Sequence, residues 1–357
     1  MSWQTEQVVV VTGGAGFIGS NLADTLLTRG ERVVVYDDLS RPGAEKNLHW
    51  LRSRHPKRLQ VEVGDVRDAG HVKRVVSRAH SVYHLAAQVA VTTSVADPAH
   101  DFAVNVGGTL NVLEAARAQS ERPVVLFTST NKVYGELQGV GVSPNGTRYL
   151  FTDERRGIGE DQPLDFHSPY GCSKGAADQY VRDYARIFGV PTCVFRMSCI
   201  YGPRQFGTED QGWVAHFIIA ALSGRTLTLY GDGKQVRDIL YVEDLVEALV
   251  RANAAARQQP GRVYNVGGGS RNATSLLELI GLLETVLGQP VPVGFAGWRP
   301  GDQRLYVTDI TRIMRELDWS PRVSKEEGVR RLAEWVRGNP SLRLPAGVGG
   351  AAEPLTA

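Results

Sequence analysis

The chain has 357 residues, with 40 Lys and Arg against 38 Asp and Glu, and its formal net charge of +2 is spread along its length. That size suits one large core, or a core with a smaller lobe. With no basic stripe and no apolar run near the ~20 residues that span a bilayer, neither nucleic acid nor a membrane is an expected partner. Three cysteines without metal-ligand spacing, Cys172, Cys193 and Cys199, and an amino terminus MSWQTEQ without an apolar signal core point to a reducing cytoplasm and to no metal site.

The first informative stretch is VVVVTGGAGFIGS, Val8 to Ser20, where a β-branched run breaks into glycines and continues as a helical pattern from Asn21 to Arg29. This reads as strand, tight turn and helix. Gly14 and Gly16 are expected to take positive φ and let the backbone approach a ligand, while Gly19 lets the helix lie close on its strand. Free N–H groups at the helix start would then face a pyrophosphate. A second apolar run, Arg32 to Tyr36, ends in Asp37, roughly 20 residues on, where an acid holds an adenosine ribose 2′-OH and favours NAD over NADP. The alternative is that Asp37 only caps a loop.

Further strands are expected at Leu59 to Val63, Ser81 to Leu85, Val124 to Ser129 and Thr192 to Met197, alternating with helical patterns. Alternation of this kind means an α/β fold, a doubly wound parallel sheet (Rossmann), and ligands beyond the carboxyl ends of its strands. Asp65, with Val66, either meets an adenine or caps the helix near Ala69. Ala86 and Ala87 either let a dinucleotide pass close or serve helix packing. Residues 136–167 read as one long loop. A helix is expected from Tyr170 to Phe188. Beyond Tyr201, short strands at Leu227 to Tyr230 and Val263 to Asn265 mix with helices at Trp213 to Leu222, Val242 to Asn253, Ser275 to Leu287 and Glu326 to Val336. The expected organisation is a nucleotide-binding domain over 1–200, to which some later segments return, a smaller substrate lobe mainly over 201–338, and a disordered Pro, Gly and Ala-rich tail over 339–357.

The chemistry centres on Tyr170 and Lys174, four apart and so on one helix face. A phenol titrates near 10. An ammonium and an oxidised nicotinamide, each at ~6 Å with an effective dielectric of ~20, would each favour phenolate by roughly 2 to 3 kcal/mol and bring the phenol toward a working pH. Thr130, closing the run TST, either hydrogen-bonds the reacting sugar oxygen or caps a turn. The next residues, Asn131 and Lys132, are not the carboxylic acids that eliminating water would require.

The motifs TGGAGFIGSNL, LAAQ, NVGGTLNVLEAA, TSTNKVYG, SPYGCSK, YGPRQ, VRDILYVEDL and RPGDQR together resemble the extended short-chain dehydrogenase/reductase family of sugar-nucleotide enzymes, from about Val8 to Arg337. The long runs DFHSPYGCSKGAADQY and DQGW most resemble members that epimerise carbon 2 of a CDP-linked hexose. The resemblance implies a tightly bound NAD, oxidation to a transient 2-keto sugar, rotation of that sugar, and return of the same hydride to its other face. It implies Thr130, Tyr170 and Lys174 as the catalytic set. It implies cofactor contacts from Gly13, Gly16, Phe17, Ile18, Gly19, Asp37, Asp38, Asp65, Val66, Leu85, Ala86, Ala87, Gln88, Asn105, Tyr170, Lys174 and Met197. It implies substrate contacts from Thr130, Asn131, Cys199, Gln211, Arg237 and Arg304, the two arginines on the diphosphate. Met197 stands where the family pattern has histidine, Cys199 where many relatives have asparagine, and Pro203 replaces a glycine. A UDP- or GDP-hexose epimerase and a dehydratase are the alternative activities, and a homodimer through helices near Asn105 to Arg117 and Cys172 to Phe188 is expected.

Overall fold

The computed structural model describes residues 7–299 and 302–342. Seven strands, β1 (Val8–Thr12), β2 (Val33–Asp37), β3 (Leu59–Val63), β4 (Ala79–His84), β5 (Val124–Thr130), β6 (Thr192–Met197) and β7 (Arg262–Val266), form one sheet in the order β7-β6-β5-β4-β1-β2-β3. Every neighbouring pair is parallel. Chain order reverses between β1 and β4, and such a reversal opens a crevice at the carboxyl ends of the two strands.

The valine-rich runs form central strands because both of their faces are covered. Along β1 and β2, Val9, Val11, Val33 and Val35 pack with Leu22, Leu26, Leu48 and Leu249 on one side. Their alternates Val8, Val10, Val34 and Tyr36 pack with Val72, Val112, Ala116 and Val181 on the other. The helices that cover these faces are Phe17–Thr28, Ala44–Arg54 and Val242–Ala255 against Ala69–Val76, Gly108–Arg117 and Ser168–Phe188. None of the described helices is long and apolar enough to cross a membrane.

Several boundaries differ from those read off the pattern. The first helix starts at Phe17, four residues before Asn21, because Gly16 is its extended N-cap. β2 runs on through Asp37 and β5 through Thr130, so both polar residues leave from the ends of strands. β4 stops at His84, one short of Leu85. Segment 136–167 is not one loop. It contains an antiparallel hairpin, Val142–Asn145 with Arg148–Phe151, closed by Gly146 and Thr147 with Gly146 at φ +56°. Arg148 pairs with Glu278, and the Tyr149 hydroxyl donates to Asp232 at 2.8 Å, so the hairpin is pinned to the carboxyl-terminal lobe.

That lobe is built on Val236–Tyr241, which pairs with Cys199–Tyr201, Ala273–Ser275 and Leu305–Tyr306. A second small sheet pairs Leu227–Tyr230 with Val293–Ala296. Its core holds Tyr201, Ile218, Leu229, Leu283 and Leu332. Ser275 is the N-cap of the helix Leu276–Leu287, in a capping box with Glu278. The expected disordered tail is corrected at its start: Pro340–Leu342 form a short 3-10 turn and Leu342 packs into the lobe's core. Residues 343–357 lie outside the described residues.

Among the described residues, one ion pair lies wholly inside. Arg196 on β6 bonds Asp178 on the helix Ser168–Phe188 at 2.8 Å, with side chains 3% and 0% exposed. Arg196 also donates to the Tyr134 hydroxyl at 3.1 Å, which in turn donates to Asn265 at 2.6 Å. Asp178→Ala strands a guanidinium in the core and is expected to cost about 3–5 kcal/mol in urea unfolding. The double variant Asp178→Leu with Arg196→Met should recover most of that loss.

Candidate active site

The glycine turn is packed backbone against backbone. Gly13, and not Gly14 or Gly16, takes the left-handed conformation, at φ +67°. A Cβ on Gly13 would lie 2.7 Å from the Ala86 nitrogen, and one on Gly19 would lie 2.1 Å from the Gly13 carbonyl oxygen. The close approach expected at Gly19 is therefore present, and the positive φ falls on the residue that ends the strand. The helix from Phe17 has no side-chain cap. The N–H groups of Phe17, Ile18 and Gly19 lack intrahelical acceptors, which is the chemistry of an anion site.

Asp37 braces this turn. One carboxylate oxygen accepts from the Ala15 N–H and the other from the Leu39 N–H, both at 2.9 Å. Burial pushes its carboxyl up, while those two N–H groups pull it back. Each oxygen keeps a further lone pair for a hydroxyl donor. Its neighbour Asp38 is exposed and accepts from the Ser40 hydroxyl at 2.7 Å.

Asp65 is gripped by Arg67 at 2.6 Å, and that hydrogen bond holds its carboxyl below the usual range. It does not cap the following helix: Asp68 does, accepting from the His71 N–H at 2.9 Å. Val66 is buried against Gly108, and its carbonyl accepts from Asn111 at 2.9 Å.

Beyond β4, the Ala86 N–H donates to the Thr12 hydroxyl at 3.2 Å, and the Gln88 N–H donates to the Asn105 carbonyl at 3.0 Å. The Asn105 amide group in turn donates to the Gln88 carbonyl, Asp101 and the Ser173 hydroxyl, at 3.1, 3.1 and 3.0 Å. Its polar atoms are all engaged, so Asn105 is a strut between the loop after β4 and the Tyr170 helix. His84 is a core residue, flanked by the hydroxyls of Thr12 at 2.7 Å and Thr109 at 2.9 Å and pushed down to about 3 by burial.

Tyr170 and Lys174 open the helix Ser168–Phe188, with Pro169 in its first turn. Ser94 anchors that turn, its hydroxyl accepting from the Tyr170 N–H at 3.1 Å. Lys174 is buried, with its ammonium 4.1 Å from the centre of the Phe127 ring. Burial lowers that ammonium to about 7, against the pull of Asp178 and Asp101. Burial raises the Tyr170 phenol to about 12, opposed by its hydrogen bond with Thr130 and reinforced by Asp101. Desolvation is thus the largest influence on the phenol in the protein alone, and it opposes the charged form.

Thr130 ends β5, and its hydroxyl accepts from the Lys132 N–H at 3.3 Å and lies 3.4 Å from the Asn131 side-chain carbonyl. Lys132, Cys199 and Arg237 share one electrostatic neighbourhood. Cys199 reaches it because Cys199–Tyr201 pairs beside Ile239, and burial pushes its thiol up. Arg237 is buried and ion-paired with Asp302 at 2.7 Å. Arg304 lies alongside, since the Val236 N–H donates to its carbonyl at 2.9 Å, but its side chain is exposed between the Tyr149 and Trp298 rings, 5.7 and 5.9 Å from their centres. The Gln211 carbonyl accepts from Arg41. Met197 ends β6, partly buried.

The structure therefore gathers Thr130, Asn131, Tyr170 and Lys174 at the end of β5, with Cys199 and Arg237 reaching them through Lys132. It leaves Asn105 and Gln211 engaged with other protein groups. Asp302, Ser94 and Asp101 join the site without a signal in the sequence, because each arrives from a distant segment. Lys132 was visible in TSTNKVYG, but only as a residue that is not an acid.

The family model described as GDP-mannose 4,6 dehydratase matches residues 10–332. The chain is 46% identical over 335 residues to the CDP-paratose 2-epimerase of Salmonella typhi, covering 92% of this chain and 98% of that one. It is 36% identical over 329 residues to the UDP-glucose 4-epimerase of Mycolicibacterium smegmatis, covering 92% and 98%. The crystal structure of DesIV, a dTDP-glucose 4,6-dehydratase from Streptomyces venezuelae with NAD and TYD bound, matches with a TM-score of 0.81 at 32% identity, covering 94% and 98%. On the glycine turn, the Tyr170–Lys174 helix and these matches, the chain belongs to the GDP-mannose 4,6-dehydratase family of extended short-chain dehydrogenases/reductases, whose members include nucleotide-sugar epimerases and dehydratases.

Proposed function

We propose that the chain is an NAD-dependent epimerase that inverts carbon 2 of a CDP-linked hexose, of the CDP-paratose to CDP-tyvelose type. The observation that carries this reading is the likeness to CDP-paratose 2-epimerase along nearly the whole of both chains. Asn131 and Lys132 support it against a dehydratase, because neither side chain can act as the carboxylic acid of a water elimination.

The residues fit a dinucleotide. The uncapped N–H groups of Phe17, Ile18 and Gly19 would hold the pyrophosphate, Asp37 the adenosine ribose, Val66 the adenine edge, and Lys174 the nicotinamide ribose. When bound, NAD supplies a reversible hydride acceptor for the carbon 2 alcohol. Tyr170 takes the proton of that hydroxyl and later returns it, and Thr130 donates a hydrogen bond to the same oxygen as it becomes a carbonyl. Lys174 supplies the positive charge beside the phenol that burial otherwise opposes. Arg237 and Arg304 hold the diphosphate, with Arg237 exchanging part of its bond to Asp302 for phosphate oxygens.

A cytoplasmic location is part of the proposal, and three unpaired cysteines are compatible with it. The proposed homodimer is supported by exposed apolar residues on neighbouring helices: Val95 is 64% exposed, Phe102 59%, Tyr180 48% and Ile187 66%. Tyr180 and Ile187 are two turns apart on one face of Ser168–Phe188. Tyr180→Glu combined with Ile187→Glu is expected to convert a dimer into a monomer by light scattering.

Tyr170→Phe is expected to lower turnover by about 10²–10⁴-fold while leaving NAD bound, read from the absorbance of the retained cofactor. The reaction itself is tested with a panel of CDP-, UDP-, GDP- and dTDP-hexoses in deuterated water, followed by NMR. The expected result is inversion at carbon 2 of a CDP-hexose with protium retained there. Inversion at carbon 4, turnover of only another nucleotide, or deuterium at the inverted carbon would each overturn the proposal.

A further inference from the structure

Lys132 enters the reading above only as a residue that is not an acid, yet its position is built. It lies in the short turn Asn131–Tyr134 that leaves β5, and its N–H is fixed on the Thr130 hydroxyl. A Cβ on Gly171 would lie 3.4 Å from its carbonyl oxygen, so the turn is pressed against the first turn of the Tyr170 helix. Its side chain is partly buried in the field of Arg237, Asp302 and Cys199. Among the described residues no carboxylate lies within ion-pair distance of its ammonium. Asp302 is already bonded to Arg237 at 2.7 Å. The cluster of Lys132, Arg237 and Asp302 thus carries one positive charge more than it neutralises. Burial and Arg237 push the Lys132 ammonium down against the pull of Asp302 and Cys199, a balance that a phosphate beside it would reverse.

We propose that Lys132 selects the sugar carbon that is oxidised, by holding the sugar-bound phosphate beside Thr130 and Tyr170. The proposal rests on the 2-epimerase reading. In a nucleoside diphosphate hexose the phosphate is attached to carbon 1. Carbon 2 is its immediate neighbour and carbon 4 lies across the ring. Presenting carbon 2 to the Tyr170 hydroxyl therefore requires the phosphate to sit deeper, close to that hydroxyl, than presenting carbon 4 does. A cation two residues beyond Thr130 anchors the phosphate at that depth. A carboxylate in its place would repel it. Arg237, on the lobe strand Val236–Tyr241, then grips the same diphosphate from the lobe side.

The test uses the holoenzyme and three variants, Lys132→Met, Lys132→Arg and Lys132→Glu. By calorimetry, Lys132→Met is expected to weaken CDP about tenfold or more and to leave CMP unchanged, since only CDP carries the second phosphate. Lys132→Arg keeps the charge and should bind CDP almost as the unaltered protein does, while Lys132→Glu should lose most. With CDP-glucose, which has hydroxyls at both carbons, the methionine variant should lose inversion at carbon 2 in favour of carbon 4 or of no product. Unchanged CDP affinity in Lys132→Met overturns the proposal, as does equal loss of CDP and CMP, or an arginine variant as weak as the methionine one. If the unaltered enzyme inverts only carbon 4, the underlying 2-epimerase reading fails. If it inverts carbon 2 and the variants bind CDP normally, only the role of Lys132 fails.

Discussion

A lysine ammonium buried against an aromatic ring sets the terms for the whole crevice. Lys174 sits 4.1 Å from the centre of the Phe127 ring, where water cannot solvate it. A cation in such a place gives up its proton readily unless opposite charge is close. The protein supplies that charge at a distance, from Asp178 one helical turn on and from Asp101 across the packed helices. Asp178 is itself bonded to Arg196 at 2.8 Å, so the carboxylate that steadies Lys174 is shared with a second buried cation. The phenol above it is pushed up rather than down. Burial thus opposes the charged form of both groups, and a charged ligand placed beside them would act on both.

The sheet explains how these groups come to one place. β5 delivers Thr130 and the Asn131–Tyr134 turn, β6 delivers Arg196 and Met197, and β1 delivers the glycine turn, all at the carboxyl ends of parallel strands, with β1 on one side of the crevice and β5 and β6 on the other. Asn105 and Ser94 lock the Tyr170 helix against the segment beyond β4, so the start of that helix is positioned by hydrogen bonds from side chains on neighbouring elements. The lobe supplies Arg237 and Cys199 through a strand pairing, Cys199 opposite Ile239, that joins the two halves of the molecule.

Much of this was legible in the sequence because the signals are local. Runs of valine with period-two burial, a glycine turn and a Pro-Tyr-x-x-x-Lys helix start each depend on residues within a few positions of one another. β1, β3 and β6 fall where the pattern put them, and so does the helix Trp213–Leu222. The hairpin at Val142–Phe151 had a signal too, Asn145-Gly146, but its strands are short and partly exposed, and a long polar context hid them.

What the amino-acid order determined by itself was the parallel α/β architecture, the dinucleotide turn, and Tyr170 and Lys174 as the pair at the start of one helix. Only the tertiary structure decided that the positive φ belongs to Gly13, that Asp65 is held by Arg67, that Asn105 is a strut, that Arg237 is paired with Asp302, and that burial drives the phenol and the ammonium away from each other. The first group rests on backbone geometry and side-chain period, which act over a turn or a strand. The second rests on desolvation and on contacts between residues far apart in the chain, quantities that do not exist until the chain has folded.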